Sequence, residues 1–549
     1  MPVEVLVFVI IAVFVIVFAS SLSQRTGIAG PLILVAVGVG VSLIPGVAAV
    51  SVAPELILVG VLPPLLFSAA VSAPAIEFRR DLAAIGGLSV LLVIVSAVVL
   101  GLFFFWAIPG LGFPLAVALG AILSPTDAVA TSIVRRLGVP RRVVTVLEGE
   151  SLLNDATALV LLRTAIVAAA SGFSFLTTLG SFAWAVLSAI VVGAVAGWLA
   201  LRLRAWTTSA TANTALGLTI PYIAYLPTEA LGGSGLVAAV VAGVVCGQGS
   251  VRWLTPEQRI SDKITWRTIA FLLEGAVFLL MGLELWGIVE SNLEAEEGLL
   301  AGITIAAVAL VILIAVRAAY VFPMMHVHAA RVTRSMRRRL SADGGGSRRR
   351  TAGRMRADIE YFDASPLTWK HNAMIVWAGM RGAVTLAAAQ TLPPDVPSRD
   401  LLVFIAFLVA AGSLLLQGMT LPVLARLLGL RAAGASGPPR DEIRSIDEQL
   451  RDAAQAAIDG GTLQRRGRTP FSAAISSLPT AGFVAPLDPR GGADSPEVLE
   501  FQLALIAVMR ERLHELGRSG RHSTTALRYV LDELDAFEIS VKLHLESER

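Results

Sequence analysis

Two short stretches place acids where an apolar chain has least room for them. One reads Glu148-Gly-Glu-Ser-Leu-Leu-Asn-Asp155, the other Ser124-Pro-Thr-Asp-Ala-Val-Ala-Thr131. Both lie inside apolar runs, where an ionisable group costs about 2.5–3.5 kcal/mol on insertion scales and so needs a partner or a task. On a helix, residues three and four apart share a face. Ser151 therefore aligns with Asp155 and, one step round, Glu150 with Asn154. That wall offers two carboxylates, a hydroxyl and an amide. These hard oxygen ligands suit small hard cations, and no imidazole or thiolate stands by to favour zinc or copper. In the second stretch, Pro125 lacks a backbone donor and discourages helix at the residue before it. A helix broken at membrane depth exposes carbonyls and amides, which is tolerated only where they line a cavity or an ion site. Asp127 is placed both to face a cation and to neutralise the positive end of a half-helix.

The other intramembrane charges are Arg163, Glu274, Glu284, Arg317 and Arg381. Arg381 sits in Gly379-Met-Arg-Gly382, whose glycines allow close backbone approach or a break. Arg317 is alone in an apolar helix. With Glu150 paired to one arginine, another carboxylate stays free to exchange its partner. Glu148, Glu284 and Arg163 fall near helix ends, where a structural role suffices.

These residues need a scaffold, and composition names its class. The 549 residues are 55% apolar and 15% charged, with a mean hydropathy of +0.74. A soluble chain carries about 25% charged residues. Apolar runs of membrane-spanning length recur, which excludes collagenous, disordered and disulfide-rich secreted classes. Thirteen helices are expected near 3–20, 29–45, 55–74, 82–107, 112–134, 143–171, 178–203, 211–227, 233–249, 268–288, 299–323, 372–392 and 401–428. Met1 to Ser20 lacks a basic n-region and a cleavage pattern, so it reads as a retained first span. Basic residues cluster after odd-numbered helices, as at Arg79 and Arg80 or Arg135 and Arg136, and are almost absent after even-numbered ones. The positive-inside rule then puts the N-terminus outside and the C-terminus in the cytoplasm.

The eleventh connection, about 325–370, is a basic loop with arginines around Gly344 to Gly346. It fixes topology or binds anionic lipid; no aromatic interleaving points to nucleic acid. The transmembrane domain is expected over 1–428 and a cytoplasmic tail over 429–549. In the tail, a linker near Gly434 to Pro439 precedes a helix at 441–458. A Pro- and Gly-rich loop runs to 495, and amphipathic helices follow at 496–517 and 522–546. Leu527, Val530, Leu531 and Leu534 recur there at helical spacing. The single cysteine, Cys246, can form no internal disulfide, and none of the six histidines lies among the acids.

Four motifs in order resemble the monovalent cation:proton antiporter family of bacterial sodium/proton antiporters and eukaryotic sodium/proton exchangers. They are Leu62-Pro-Pro-Leu-Leu-Phe67, Ser124 to Ala130, Glu148 to Asp155, and Gly379 to Gly382. The resemblance covers roughly 1–428. It implies an all-α polytopic membrane protein of about thirteen helices, with an inverted repeat, broken core helices and a small helical cytoplasmic tail. It further implies a homodimer in which a core domain moves like an elevator against a dimerisation domain. Asp155, preceded by Asn154, would bind cation or proton. Thr126 and Asp127 match the broken-helix site and Ser151 an ion-ligand position, so Asp155, Asp127, Ser151 and Thr126 are the expected Na+ ligands. Glu150 matches the acid of a buried ion bridge, with Arg317 the first choice of partner and Arg381 the second. One departure is Ser68, where many relatives carry an acid; Glu274 either compensates or merely packs helices. The implied activity is electroneutral one-to-one exchange of Na+, with Li+ a further candidate, for H+ across the plasma membrane. It involves no cofactor, no enzymatic step and no nucleic acid; the partners are the cation, the proton and the bilayer. K+/H+ exchange is the alternative, and a cation channel the more distant one.

Overall fold

The computed structural model describes residues 3–44, 53–171, 175–294, 298–342, 349–364, 366–430, 440–465, 469, 471–472 and 496–547. Nearly all of them are helical. In chain order the helices are α1 (Val3–Thr26), α2 (Gly30–Ser42), α3 (Leu56–Ser72), α4 (Ala75–Arg80), α5 (Leu82–Ala107), α6 (Phe113–Leu123), α7 (Val129–Arg136) and α8 (Arg141–Ser171). Next come α9 (Phe175–Ala205), α10 (Ala210–Ala230), α11 (Gly235–Trp253), α12 (Pro256–Leu283), α13 (Leu285–Glu294), α14 (Leu299–Ala342) and α15 (Arg349–Ala364). The series ends with α16 (Trp369–Trp377), α17 (Ala383–Gln390), α18 (Arg399–Leu427), α19 (Arg440–Asp459), α20 (Pro496–Ser519) and α21 (Thr524–Ser547).

Every expected span falls on helix. Eight described helices are long and apolar enough to cross a membrane, which makes this a multi-pass membrane protein. The other expected spans are short, as α2 and α3 are, or proline-bearing, as α10 is with Pro221 and Pro227, or broken. The spans expected at 112–134 and 372–392 are each two half-helices, α6/α7 and α16/α17.

The basic connection is not a loop where it is described. Helix α14 runs for 44 residues through Pro323 to Ala342, and α15 follows. Hydropathy ends where the bilayer does, but arginine, methionine and alanine are good helix formers, so the backbone ladder continues beyond it. Gly344 to Gly346, the Gly434 to Pro439 linker and most of the loop before 495 lie outside the described residues.

The spans sort into two bundles by what they pack against. Helices α5–α8 gather with α14 and α16–α18; α1–α3 gather with α9–α12. Without a hydrophobic drive between helices in lipid, small residues let backbones approach. Gly282 of α12 and Gly38 of α2 are an instance: a Cβ on either would strike the other helix's backbone, at 2.9 Å from the opposing glycine Cα.

The C-terminal helices α19–α21 bury Ile446, Leu450, Phe501, Leu505, Val530 and Leu534 together, the face that the spacing of leucines marked. They dock on the spans. Thr524 donates from its backbone N–H (2.8 Å) and its hydroxyl (2.6 Å) to Glu77, and Arg259 grips Asp535 with two nitrogens, one at 2.8 Å. Arg528 donates to the carbonyls of Val71, Ser72 and Ala73 at the end of α3, where a cation meets the negative pole of the helix.

Replacing Gly282 by valine should lower stability by about 1–3 kcal/mol, the usual cost of overpacking. A thermal unfolding midpoint in detergent equal to wild type would show that the α2–α12 contact yields.

Candidate ion site

The two broken helices meet at their breaks. The backbone N–H of Asp127 donates to the carbonyl of Met380 at 2.7 Å. Asp127 Oδ1 accepts the N–H of Val129 at 3.0 Å, capping the start of α7. Its other oxygen lies against Gly382, the residue before α17, and a Cβ there would overlap it. The carboxylate thus stands between two helix N-termini, both positive. Arg381 does the converse. Its Nε donates to the carbonyl of Leu123, at the end of α6, at 3.0 Å. Its Nη1 donates to the carbonyl of Gly379, just past the end of α16. Its own N–H is held by Ser413 Oγ at 2.9 Å. Four helix ends are matched by one anion and one cation.

Arg381 is therefore not the partner of Glu150, and that second choice is corrected. The bridge is Glu150–Arg317: Nη2 reaches Oε2 at 2.7 Å and Nη1 reaches Oε1. Relative exposure is only 1% for Glu150 and 2% for Arg317. A second anchor comes from the broken helix, because Arg317 Nε and Nη2 also donate to the carbonyl of Ile375 at 3.1 and 3.0 Å. Gly379 gives the guanidinium room, since a Cβ would sit 2.6 Å from Nε. Geometry decided what residue types left open: the fork of Arg317 is already filled by Glu150, and that of Arg381 by backbone carbonyls.

Thr126 ties the bridge to the break. Its hydroxyl donates to Glu150 Oε1 at 3.1 Å and accepts from Asn154 Nδ2 at 2.8 Å. Asn154 Nδ2 also reaches the Thr126 carbonyl at 3.0 Å. Glu150 and Asn154, one turn apart on α8, thus clasp the same threonine. Asn154 Oδ1 is buried without a hydrogen-bond partner.

Asp155 is different. It is half-buried, no hydrogen bond or ion pair engages it among the described residues, and Asp127 is the charge it feels. Ser151 lies one turn away on the same face of α8, its hydroxyl donating to the Glu148 carbonyl at 3.2 Å. From the facing bundle comes Glu274, whose charge also acts on Asp127 and meets that of Arg136. Glu274 shares a face of α12 with Phe278 and Met281, both buried, yet is itself exposed. Ser68 is half-buried on α3.

The outlying charges are structural. Arg163 pairs with Glu229 at 2.7 Å, Arg135 with Glu148, and Gln390 donates to Glu284 at 2.9 Å across the seam between the bundles. Sequence reading missed the buried Asp81–Arg142 pair, 2.9 Å, which Tyr361 also joins at 2.9 Å. Both lie one residue outside the expected spans 82–107 and 143–171, so neither counted among the intramembrane charges.

The arrangement divides its charges into fixed and free. Glu150, Arg317, Asp127 and Arg381 are each satisfied by a charge, helix ends or backbone carbonyls; Asp155 is left open beside a second carboxylate. Such a pair can take up a proton or a small cation.

A sequence profile described as sodium/hydrogen exchanger, transmembrane, matches residues 9–427. The chain is 32% identical over 528 residues to YjcE of Escherichia coli, named as a Na+/H+ exchanger, covering 88% of this chain and 89% of that one. It is 30% identical over 410 residues to a sodium, potassium, lithium and rubidium/H+ antiporter of Bacillus pumilus, covering 72% of this chain and 57% of that one. Its fold is similar to that of the sodium proton antiporter MjNhaP1 from Methanocaldococcus jannaschii at pH 8. The TM-score is 0.57 at 16% identity, over 78% of this chain and all of the other.

Removing one partner of a buried ion pair costs about 3–5 kcal/mol. Glu150→Ala and Arg317→Ala should each lower the unfolding midpoint in detergent, and the double variant should lose less than the sum. Additive losses would show that the pair does not act as a unit.

Proposed function

The chain belongs to the sodium/hydrogen exchanger family, and from that premise we propose that it exchanges Na+ for H+ by letting both compete for Asp155. The observation that carries this reading is the division of charges. Among the described ionisable groups of the crossing, Asp155 is the one left without a partner. Asp127, Ser151 and Thr126 complete the Na+ site, Asp127 through its outer oxygen and Thr126 through a remaining lone pair. Asn154 holds Thr126 in place, and its unpartnered Oδ1 adds a further oxygen to the site.

An empty Asp155 carboxylate would cross the bilayer as an unpaired charge, which is costly in a low dielectric. Loaded with a proton or a cation, it crosses without that penalty. Exchange rather than leak follows. Because Glu150 is committed to Arg317 and Asp127 to two helix N-termini, one carboxylate alternates between one proton and one cation. The stoichiometry is then one to one and electroneutral. Ion gradients are the energy source, with no cofactor and no chemical step.

Crossing is an elevator movement of the bundle that contains α6–α8 and α16–α17 against the bundle of α1–α3 and α9–α12. The site lies on the seam between them, and the Gln390–Glu284 hydrogen bond would have to break. We take 1–428 as the transmembrane domain and 429–549 as a cytoplasmic tail. The basic connections argue for an N-terminus outside, and the family resemblance for a plasma-membrane protein working as a homodimer. K+/H+ exchange is the second reading, favoured by the name of the Bacillus pumilus relative; Li+ belongs to the same comparison.

Dequenching of a pH dye in everted vesicles, with Na+, Li+ and K+ in turn, tests the reading. Wild type should respond to Na+, and Asp155→Asn should fold and give no exchange. Substantial Na+-driven proton release from Asp155→Asn would remove it as the carrier, and a response to K+ alone would favour the second reading. In proteoliposomes, a potassium–valinomycin potential without other gradients should move no Na+. Net Na+ uptake that follows the sign of the potential would show that charge is transported and that a second acid takes part.

A further inference from the structure

A cavity of about 530 Å³ lies between the C-terminal helices and the spans, at the level where α3 and α11 end and α5 begins. Small-molecule sites typically occupy about 300–1,000 Å³. The space exists because contacts on either side hold α20 and α21 off the spans. Thr524 is fixed to Glu77 and Arg528 to the end of α3, while small residues, Ala70, Gly247 and Gly517, line the gap between.

Its lining has two chemistries. Much of the wall is apolar, formed by Val71, Val244, Leu513 and Leu527. The charged lining itself has one sign, Arg79, Arg518 and Arg528 with His514 beside them, while Asp358, outside the lining, pairs with Arg79 at 3.5 Å. At its margin stands Leu82, the first residue of a membrane span and 51% exposed. The mouth therefore opens at the bilayer surface. Apolar walls, arginines and a mouth at the membrane fit an anionic amphiphile.

We propose that this cavity binds one anionic phospholipid from the tail-side leaflet, with an acyl chain along the apolar wall and the phosphate against Arg79 and Arg518. Arginine forks hold phosphate oxygens in pairs, which a neutral headgroup without net charge would not reward equally. Arg528 donates to the carbonyls of Val71 and Ala73 at 3.2 and 3.0 Å, so it contributes field rather than contact. A lipid seated there touches α3, α11, α20 and α21 at once and fastens the C-terminal helices to the bundle that holds α3. This inference rests on the membrane-spanning character of the chain and is independent of which ion Asp155 carries.

The test uses full-length protein purified in a neutral detergent and native mass spectrometry with phosphatidylglycerol, phosphatidylcholine or glycerol phosphate. Wild type should retain one phosphatidylglycerol per chain, should not retain phosphatidylcholine, and should not release its lipid to glycerol phosphate. At Gly517 an added Cβ would meet only Leu527 Cδ1, at 3.8 Å, so the ring of Gly517→Phe should enter the cavity and abolish retention. Arg79→Gln combined with Arg518→Gln should weaken retention roughly thirtyfold, the effect of two basic groups near a membrane surface. The arginine variant removes the exposed Arg79–Asp358 pair but leaves Arg80 on Asp358 and keeps Thr524–Glu77 and Arg259–Asp535, so it decides the matter even if Gly517→Phe fails to fold. Equal retention of the two lipids, displacement by glycerol phosphate, or full retention by the arginine variant would overturn the proposal.

Discussion

Everything at the centre of this protein depends on the crossing of two interrupted helices. Each interruption frees backbone groups and leaves helix poles pointing inward, an arrangement that lipid would not tolerate. The chain resolves it with two side chains. Asp127 caps α7 and lies against the residue before α17; Arg381 holds the carbonyls of Leu123 and Gly379. The Asp127–Met380 backbone bond locks the breaks together. With the poles neutralised, the crossing is rigid, and α8 can lay its acids against it.

That rigidity is extended by the Glu150–Arg317 pair, which reaches both breaks: Thr126 at one and Ile375 just before the other. A buried pair of this kind is weak evidence for stability in itself, but it fixes geometry. Here it holds the broken helices at one distance and leaves Asp155 beside Asp127. The freedom of Asp155 follows from the commitment of its neighbours.

Much of this was legible in the sequence. The spans follow from hydropathy, and the break at Pro125 from the missing donor. The shared face of Glu150 and Asn154 follows from helical periodicity. Two features were not. The choice between Arg317 and Arg381 depends on which guanidinium reaches Glu150 across four helices, and side-chain type carries no such distance. The extension of α14 to Ala342 was hidden because hydropathy reports the bilayer rather than the backbone ladder. Glu274 was left between compensation and packing, and the structure adds that it is exposed and that its charge acts on Asp127.

The ion pairs that dock α21 differ in how they meet water. Lys263–Asp532 has side chains 66% and 51% exposed, whereas Arg259–Asp535 has 10% and 2%. At about 0.15 M salt the Debye length is about 8 Å, and it shortens as salt rises, acting on exposed pairs far more than on buried ones. Rising ionic strength therefore weakens the outer contact while the inner one holds. The attachment of the C-terminal helices thus joins one contact open to screening by salt with one shielded from it.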